Sequence, residues 1–378
     1  MDINDLIRAA YERKASDLHL KSANHPCIRV NGDLESLVQF PTLTNDDMER
    51  LATSMLTERQ MGKFQETGDL DLAYTVAGLG RFRVNIARQR GSISLALRVI
   101  PPFVASFEEL HLPRVLERFT EERRGMVLVT GTTGSGKTTT LAAIIDRINA
   151  KRSERIVTIE DPVEFLHEDR KSFITQREVE VDTASFGAAL RAALRQDPDV
   201  ILLGEMRDRE TIETALLASE TGHLLFSTVH TLDATETIQR TIAVFAPPDQ
   251  QQIRLQLAST LRGVISLRLL RRADGNGRVP AAEVLITTEY IRDCIVNPEK
   301  THLIHDALAA GTSQYGMQTF DQSIYDLYSQ KLITLEEALQ QASKPDEFKL
   351  RVAGIRSTAD AVFEHMERQA KGGVVKRF

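Results

Sequence analysis

Cysteine is nearly absent: only Cys27 and Cys294 occur in 378 residues, far apart in the chain. A disulfide framework and a four-cysteine zinc site are both excluded by count, so a reduced, cytoplasmic protein is expected. No apolar run approaches the roughly 20 residues of a membrane span, which excludes direct membrane insertion by a helix. The opening stretch, MDINDLIRAAYERKASD, is polar and charged and does not read as a secretory signal. An overall basic excess is also missing. The net charge is −6, with basic residues clustered only locally, over 81–98 and 262–272, so no nucleic-acid partner is expected. There is no internal repeat.

The length suffices for two domains with their own cores. Residues 1–100 alternate short apolar runs with glycine and asparagine turns. Leu6–Tyr11 reads as a short helix, and 16–20, 28–30, 70–76, 81–86 and 92–99 as strands, with a hairpin signal at Asn31-Gly32. This is a small α+β domain. Pro101-Pro102 punctuates the chain, and 101–113 reads as a linker. From 114 to 290 strands alternate with helices. Strands are expected at 126–130, 156–160, 200–203, 224–228 and 280–286, and helices at 138–150, 185–196, 208–221, 234–244 and 249–264. Such alternation predicts a parallel sheet covered by helices. Residues 291–350 read as helical, and 351–378 as a partly disordered tail.

The strongest chemical signal is Gly131-Thr132-Thr133-Gly134-Ser135-Gly136-Lys137-Thr138, a G-x-x-x-x-G-K-[ST] match between an apolar strand and an amphipathic helix. Glycines let backbone N–H groups converge on phosphate oxygens, and the helix N-terminus adds partial positive charge. Lys137 is expected to reach the β- and γ-phosphates, and the Thr138 hydroxyl to hold Mg²⁺. The nucleotide-binding set is Thr133, Gly134, Ser135, Gly136, Lys137, Thr138 and Thr139. A second apolar strand ends in Glu205, placed to order the metal or its water. Three carboxylates, Glu160, Asp161 and Glu164, follow a third strand. One of them is a candidate to orient and deprotonate water, and spacing does not choose among them. His223 and His230 flank a fourth strand. With no cysteine nearby and no i, i+4 histidine pair, a metal site is discounted, and His230 is the better candidate to sense the γ-phosphate. In the first domain, alternation places Arg81 and Arg83 on one strand face, with Arg98 on the next strand. Solvated arginines are the ordinary reading; the sharper one is a finger donated to a neighbouring subunit's phosphates.

Taken together, SDLHL (16–20), GRFRVN (80–85), GTTGSGKTTTLAA (131–143), TIEDPVEF (158–165), ITQREV (174–179), ALRQDPDVILLGEMRD (193–208), ETGHLLFSTVHT (220–231) and GMQTFDQ (316–322) resemble the type IV pilus retraction ATPases, the PilT/PilU family of the secretion ATPase superfamily. The resemblance covers nearly the whole chain. It implies a PAS-like N-terminal domain, a RecA-like P-loop α/β core and a helical C-terminal region, assembled as a homo-hexameric ring. It ranks Glu164 as general base, Glu205 as Walker B acid and metal partner, and His230 as a nucleotide contact. It also makes Arg81, Arg83 or Arg98 the arginine that acts in trans. ATP and Mg²⁺ are the implied cofactors. An inner-membrane pilus platform protein is the implied partner, with a paralogous retraction ATPase as a further one, so the motor would be cytoplasmic and peripheral at the inner membrane. Extension-type relatives carry a long extra N-terminal region and a four-cysteine element. Their absence favours retraction over a secretion or conjugation ATPase working on another substrate. Intact Glu164 and Glu205 argue against a weakly hydrolytic accessory subunit. The segment 289–296 is only loosely similar to the family's AIRNLIRE-like helix, and the motifs do not separate the two paralogues.

Overall fold

The computed structural model describes residues 1–30, 32–100 and 104–354. Asn31 of the expected turn, the Pro101-Pro102 pair and the tail beyond 354 lie outside the described residues. The chain divides into two compact units. The first is Met1–Val104 with Asp161–His167, and the second is Ala105–Glu160 with the chain from Glu168 onward. The segment that carries Glu164 therefore groups with the first unit, although it follows a strand of the second.

The first unit holds an antiparallel sheet of order β3-β2-β1-β6-β5-β4. Its strands are β1 (Asp17–Lys21), β2 (Cys27–Val30), β3 (Asp33–Ser36), β4 (Asp69–Val76), β5 (Gly80–Gln89) and β6 (Ser92–Ile100). Alternation divides β5 cleanly: Phe82, Val84 and Ile86 are buried, while Arg83 is exposed on the other face. The Ile3–Glu12 helix buries Ile3, Leu6, Ile7 and Ala10, the i, i+3, i+4, i+7 stripe, in the same core. Two helices that the strand-rich reading of 1–100 leaves out, Asn45–Met55 and Glu58–Thr67, complete it with Met48, Leu51 and Phe64. Each opens on a capping box, Thr44 with Asp47 and Thr57 with Gln60, in which side chain and backbone satisfy each other's orphan groups.

The second unit is built on a sheet of order β13-β12-β7-β11-β10-β8-β9. The strands are β7 (Gly125–Thr130), β8 (Arg155–Glu160), β9 (Phe173–Glu178), β10 (Val200–Leu203), β11 (Leu224–Val229), β12 (Leu261–Arg271) and β13 (Arg278–Ile286). From β12 to β9 the neighbours are parallel, and only β13 runs antiparallel, against β12. The helix expected over 249–264 ends earlier, at Thr260, and Leu261 begins β12. Gly263, at an irregularity in the pairing with β7, is the only local break near that change; sheet pairing to β7 and β13 decides it. β9 is a further strand absent from the sequence-based expectation. β7 is buried along its whole length, and so is β10. The parallel arrangement brings the C-terminal ends of β7, β8, β10 and β11 to one sheet edge, where open α/β sheets bind ligands. Helices 320–329, 335–341 and 345–352 pack Phe320, Ile324, Leu327, Ala338 and Phe348 on Leu270, Val279 and Ala281, covering β12 and β13.

Candidate active site

The phosphate-loop geometry follows from its glycines. Gly131 has φ +140°, and a Cβ there would lie 2.5 Å from the Leu267 carbonyl oxygen of β12 and 2.4 Å from Ser135 Oγ. Gly134 and Gly136 also take positive φ, and Gly136 is the residue before the Lys137–Lys151 helix. The loop thus turns sharply out of β7 and leads directly into the helix. Replacing Gly131 with alanine is expected to cost about 2–4 kcal/mol, combining backbone strain with overpacking against a carbonyl. It should also lower ADP affinity. Thermal unfolding and calorimetric titration check this. Gly62→Ala is the control: it sits in the Glu58–Thr67 helix with nothing within 4 Å of the added Cβ, so the change should be neutral or slightly stabilising.

Lys137 is buried, and its Nζ donates to Gly131 O at 2.8 Å and Thr132 O at 3.0 Å. Burial pushes its amine below the usual lysine range, and the Glu205 carboxylate opposes that shift. Thr138 is half-buried on the first turn of the helix, and Thr139 follows it. Thr133 and Gly134 are exposed at the loop tip. Ser135 Oγ is buried with no hydrogen-bond partner, as are the hydroxyls of Thr130 at the end of β7 and Ser227 in β11.

Glu205 follows Gly204 at the end of β10. Arg207 Nε forms an ion pair with one of its oxygens at 2.7 Å, and His230 Nε2 lies 3.4 Å from the other. The strand ends are tied together by Thr228 Oγ1, which donates to Gly204 O at 2.7 Å, and by Met206 N, which donates to Thr228 O. Glu205 and His230, distant in sequence, are therefore brought together within the second unit, where Glu205 also acts electrostatically on Lys137. His223, at the other end of β11, instead makes a 2.9 Å contact through Nδ1 with Ala218 O.

The three carboxylates after β8 have different surroundings. Glu160 is buried and accepts from Thr158 Oγ1 at 2.7 Å and Gln176 Nε2 at 3.4 Å, all within the second unit. Glu164, in the first unit, is partly exposed and faces Arg83 Nη1 at 3.3 Å. Arg81 Nε donates to Val163 O at 2.7 Å, fixing the backbone beside it. Arg98 donates to Asp17 at 2.9 Å, and this pair, together with Ser16 Oγ, outweighs burial and holds the Asp17 carboxyl below its usual range. Cross-strand register sets Arg29, Asp17, Arg98 and Arg83 in one row over β2, β1, β6 and β5. Sequence reading found Arg81, Arg83 and Arg98 but not Arg29, Asp17 or Arg207; an acid directly opposite an arginine is visible only once strand register is known.

The donor set fits a nucleotide carrying Mg²⁺. A glycine loop, a buried lysine and unpartnered buried hydroxyls suit phosphate oxygens, and the Glu205 carboxylate suits the cation. Among the described residues no group of three or more His, Cys, Asp and Glu could cage a metal alone.

Comparison with known proteins agrees with this chemistry. The sequence pattern of the family described as "Type II/IV secretion system protein" matches residues 1–361. The Type IV pilus retractation ATPase PilT of Pseudomonas aeruginosa is 42% identical over 348 residues, covering 92% of this chain and 100% of that protein. The Type IV pilus ATPase PilU of the same organism is 37% identical, covering 95% of this chain and 94% of that one. The crystal structure of the pilus retraction motor PilT with bound ADP superposes with a TM-score of 0.84 at 45% identity, covering 92% of this chain and 98% of that one.

Proposed function

The chain belongs to the Type II/IV secretion system protein family of ATPases, and on that premise we propose that it is a ring-forming, Mg²⁺-dependent ATP hydrolase that powers type IV pilus retraction. The observation that carries the reading is the assembly of Lys137, Glu205 and His230 at the C-terminal edge of a P-loop sheet. The pilus part rests on the retraction ATPases that the whole chain resembles.

In this reading the loop N–H groups and Lys137 bind the β- and γ-phosphates and stabilise the charge that develops on them. Thr138 and Glu205 would hold Mg²⁺ on the protein side, where it would supply further neutralisation of the phosphate oxygens. Glu164 takes the proton of the attacking water, which its partly exposed carboxylate is chemically able to do. His230 senses the γ-phosphate. Arg81, Arg83 and Arg98 are the candidates to act on the next subunit's site in a homo-hexamer. Hydrolysis passed around the ring would drive an inner-membrane platform protein, with a paralogous retraction ATPase as a further partner. No described helix is long and apolar enough to cross a membrane, so attachment at the inner membrane would run through partners.

The test is ATPase rate per subunit against protein concentration, with particle mass measured on the same samples. The expected rate rises steeply as hexamers form. Mixing Arg81→Ala with Glu164→Gln subunits should restore activity that neither variant has alone. A constant rate from monomers, or mixtures that stay inactive, would sink the shared-site ring motor.

A further inference from the structure

We propose that Glu283, a buried carboxylate on β13, is a positioning residue that fixes the turn carrying His230; the proposal rests on the reading of His230 as the γ-phosphate contact. β13 is the edge strand of the sheet and reads Arg-Val-Pro-Ala-Ala-Glu-Val-Leu-Ile, apolar on both sides of the acid. Glu283 is only 3% exposed. Nothing in the proposed chemistry uses it, and burying a carboxylate in such a strand is costly without a specific partner. Its partner is the backbone N–H of Ala234, which donates to Glu283 Oε1 at 2.9 Å.

Ala234 is the first residue of the Ala234–Ala243 helix, which starts four residues after His230. The intervening turn is held mostly by groups of that same helix. Thr231 and Thr237 share a 2.7 Å hydroxyl contact, Leu232 N donates to Glu236, Asp233 caps the helix, and Arg240 reaches His230 O at 3.4 Å. These contacts fix the shape of the turn. On its N-terminal side the turn continues from β11, whose Val229 pairs with Thr130 of β7, and on its C-terminal side the helix packs on β12 and β13; Glu283 adds the polar tie at the helix start. Glu283 ties it to a strand at the far side of β7, and the helix N-terminus favours a carboxylate there. His230 in turn faces Glu205 at 3.4 Å. The path from Glu283 to the phosphate edge is therefore one hydrogen bond, one turn and one side chain.

The charged groups around Glu283 are Asp233 and Arg268, with the Ser266 hydroxyl beside it. Burial, reinforced by Asp233, pushes its carboxyl up to about 7, against the pull of the Ala234 N–H and Arg268. Either protonation state can accept from Ala234.

The experiment compares steady-state hydrolysis and ADP affinity of assembled full-length rings for five variants: Glu283→Leu, Glu283→Gln, Ala234→Pro, His230→Ala, and Glu283→Leu combined with His230→Ala. Glu283→Leu is expected to lower kcat on the order of ten-fold, the effect of losing one buried charge-assisted hydrogen bond. ADP affinity should stay unchanged, and Glu283→Gln, which keeps an acceptor oxygen, should recover most of the rate. Ala234→Pro removes the donor at a helix position whose backbone tolerates proline. It should reproduce the loss and carries the test if Glu283→Leu does not fold. In the His230→Ala background Glu283→Leu should cost nothing more, since the two act as a unit. Wild-type kcat in both Glu283→Leu and Ala234→Pro overturns the proposal, and so does a loss that adds in full to that of His230→Ala. A fully active His230→Ala would instead overturn the reading of His230 itself, and this proposal with it.

Discussion

Replacing Lys137 with alanine is expected to lower ATP turnover by about two to three orders of magnitude, the effect of removing one preorganised group from a developing charge. The argument is geometric. Lys137 is 8% exposed, and its Nζ is held over the loop by the Gly131 and Thr132 carbonyls at 2.8 and 3.0 Å. A charge kept in so dry a position against desolvation is strong towards whatever phosphate meets it. Alanine also leaves the two carbonyls without that donor, so the loop should loosen and ADP affinity should fall as well. Phosphate release and calorimetric ADP titration measure the two losses separately. Turnover within ten-fold of the unmodified protein would show that Lys137 is not the transition-state partner proposed for it.

The second large effect is expected of Glu164→Gln: ATP binding retained and hydrolysis lowered by about two to four orders of magnitude. Glutamine keeps the volume of the side chain and an oxygen for Arg83, 3.3 Å away, so the local contact survives. What it loses is the ability to take a proton. Glu160 is a poor substitute, because it is buried and both Thr158 and Gln176 already donate to it. Single-turnover hydrolysis beside nucleotide binding separates the two functions. Wild-type turnover would remove Glu164 from the role of base and leave Asp161 as the next carboxylate to test. Retained binding with no turnover would also make this variant the right partner for the subunit-mixing experiment.

Much of the second unit is legible in the sequence because its signals are local. The phosphate loop is a contiguous run of eight residues whose glycines are demanded by backbone angles, and its flanking strand is apolar up to Thr130 because it is buried on both faces. Strands β8, β10 and β11 stand out for the same reason. β12 does not. Its residues, Leu-Arg-Gly-Val-Ile-Ser-Leu-Arg-Leu-Leu-Arg, follow a helix directly, and its strand form comes from pairing with β7 on one side and β13 on the other. The helices at 45–67 carried a readable signal in Thr44-x-x-Asp47 and Thr57-x-x-Gln60, but a short, polar amphipathic stretch is easily passed over among strands.

The sequence alone determined that this chain has a glycine loop of the phosphate-binding pattern between an apolar strand and a helix, Glu205 and a cluster of three further acids after other strands, two histidines flanking one strand, and arginines on neighbouring strands of an N-terminal domain. Each follows from spacing within a few residues. Only the tertiary structure decided which of these groups meet. It set Glu205 against His230 and Arg207, gave Glu164 to Arg83 while burying Glu160, paired Arg98 with Asp17, and placed Glu283 against the helix after His230. The physical reason is that period and propensity act along the chain, whereas strand order, register and burial are fixed only when distant segments pack together.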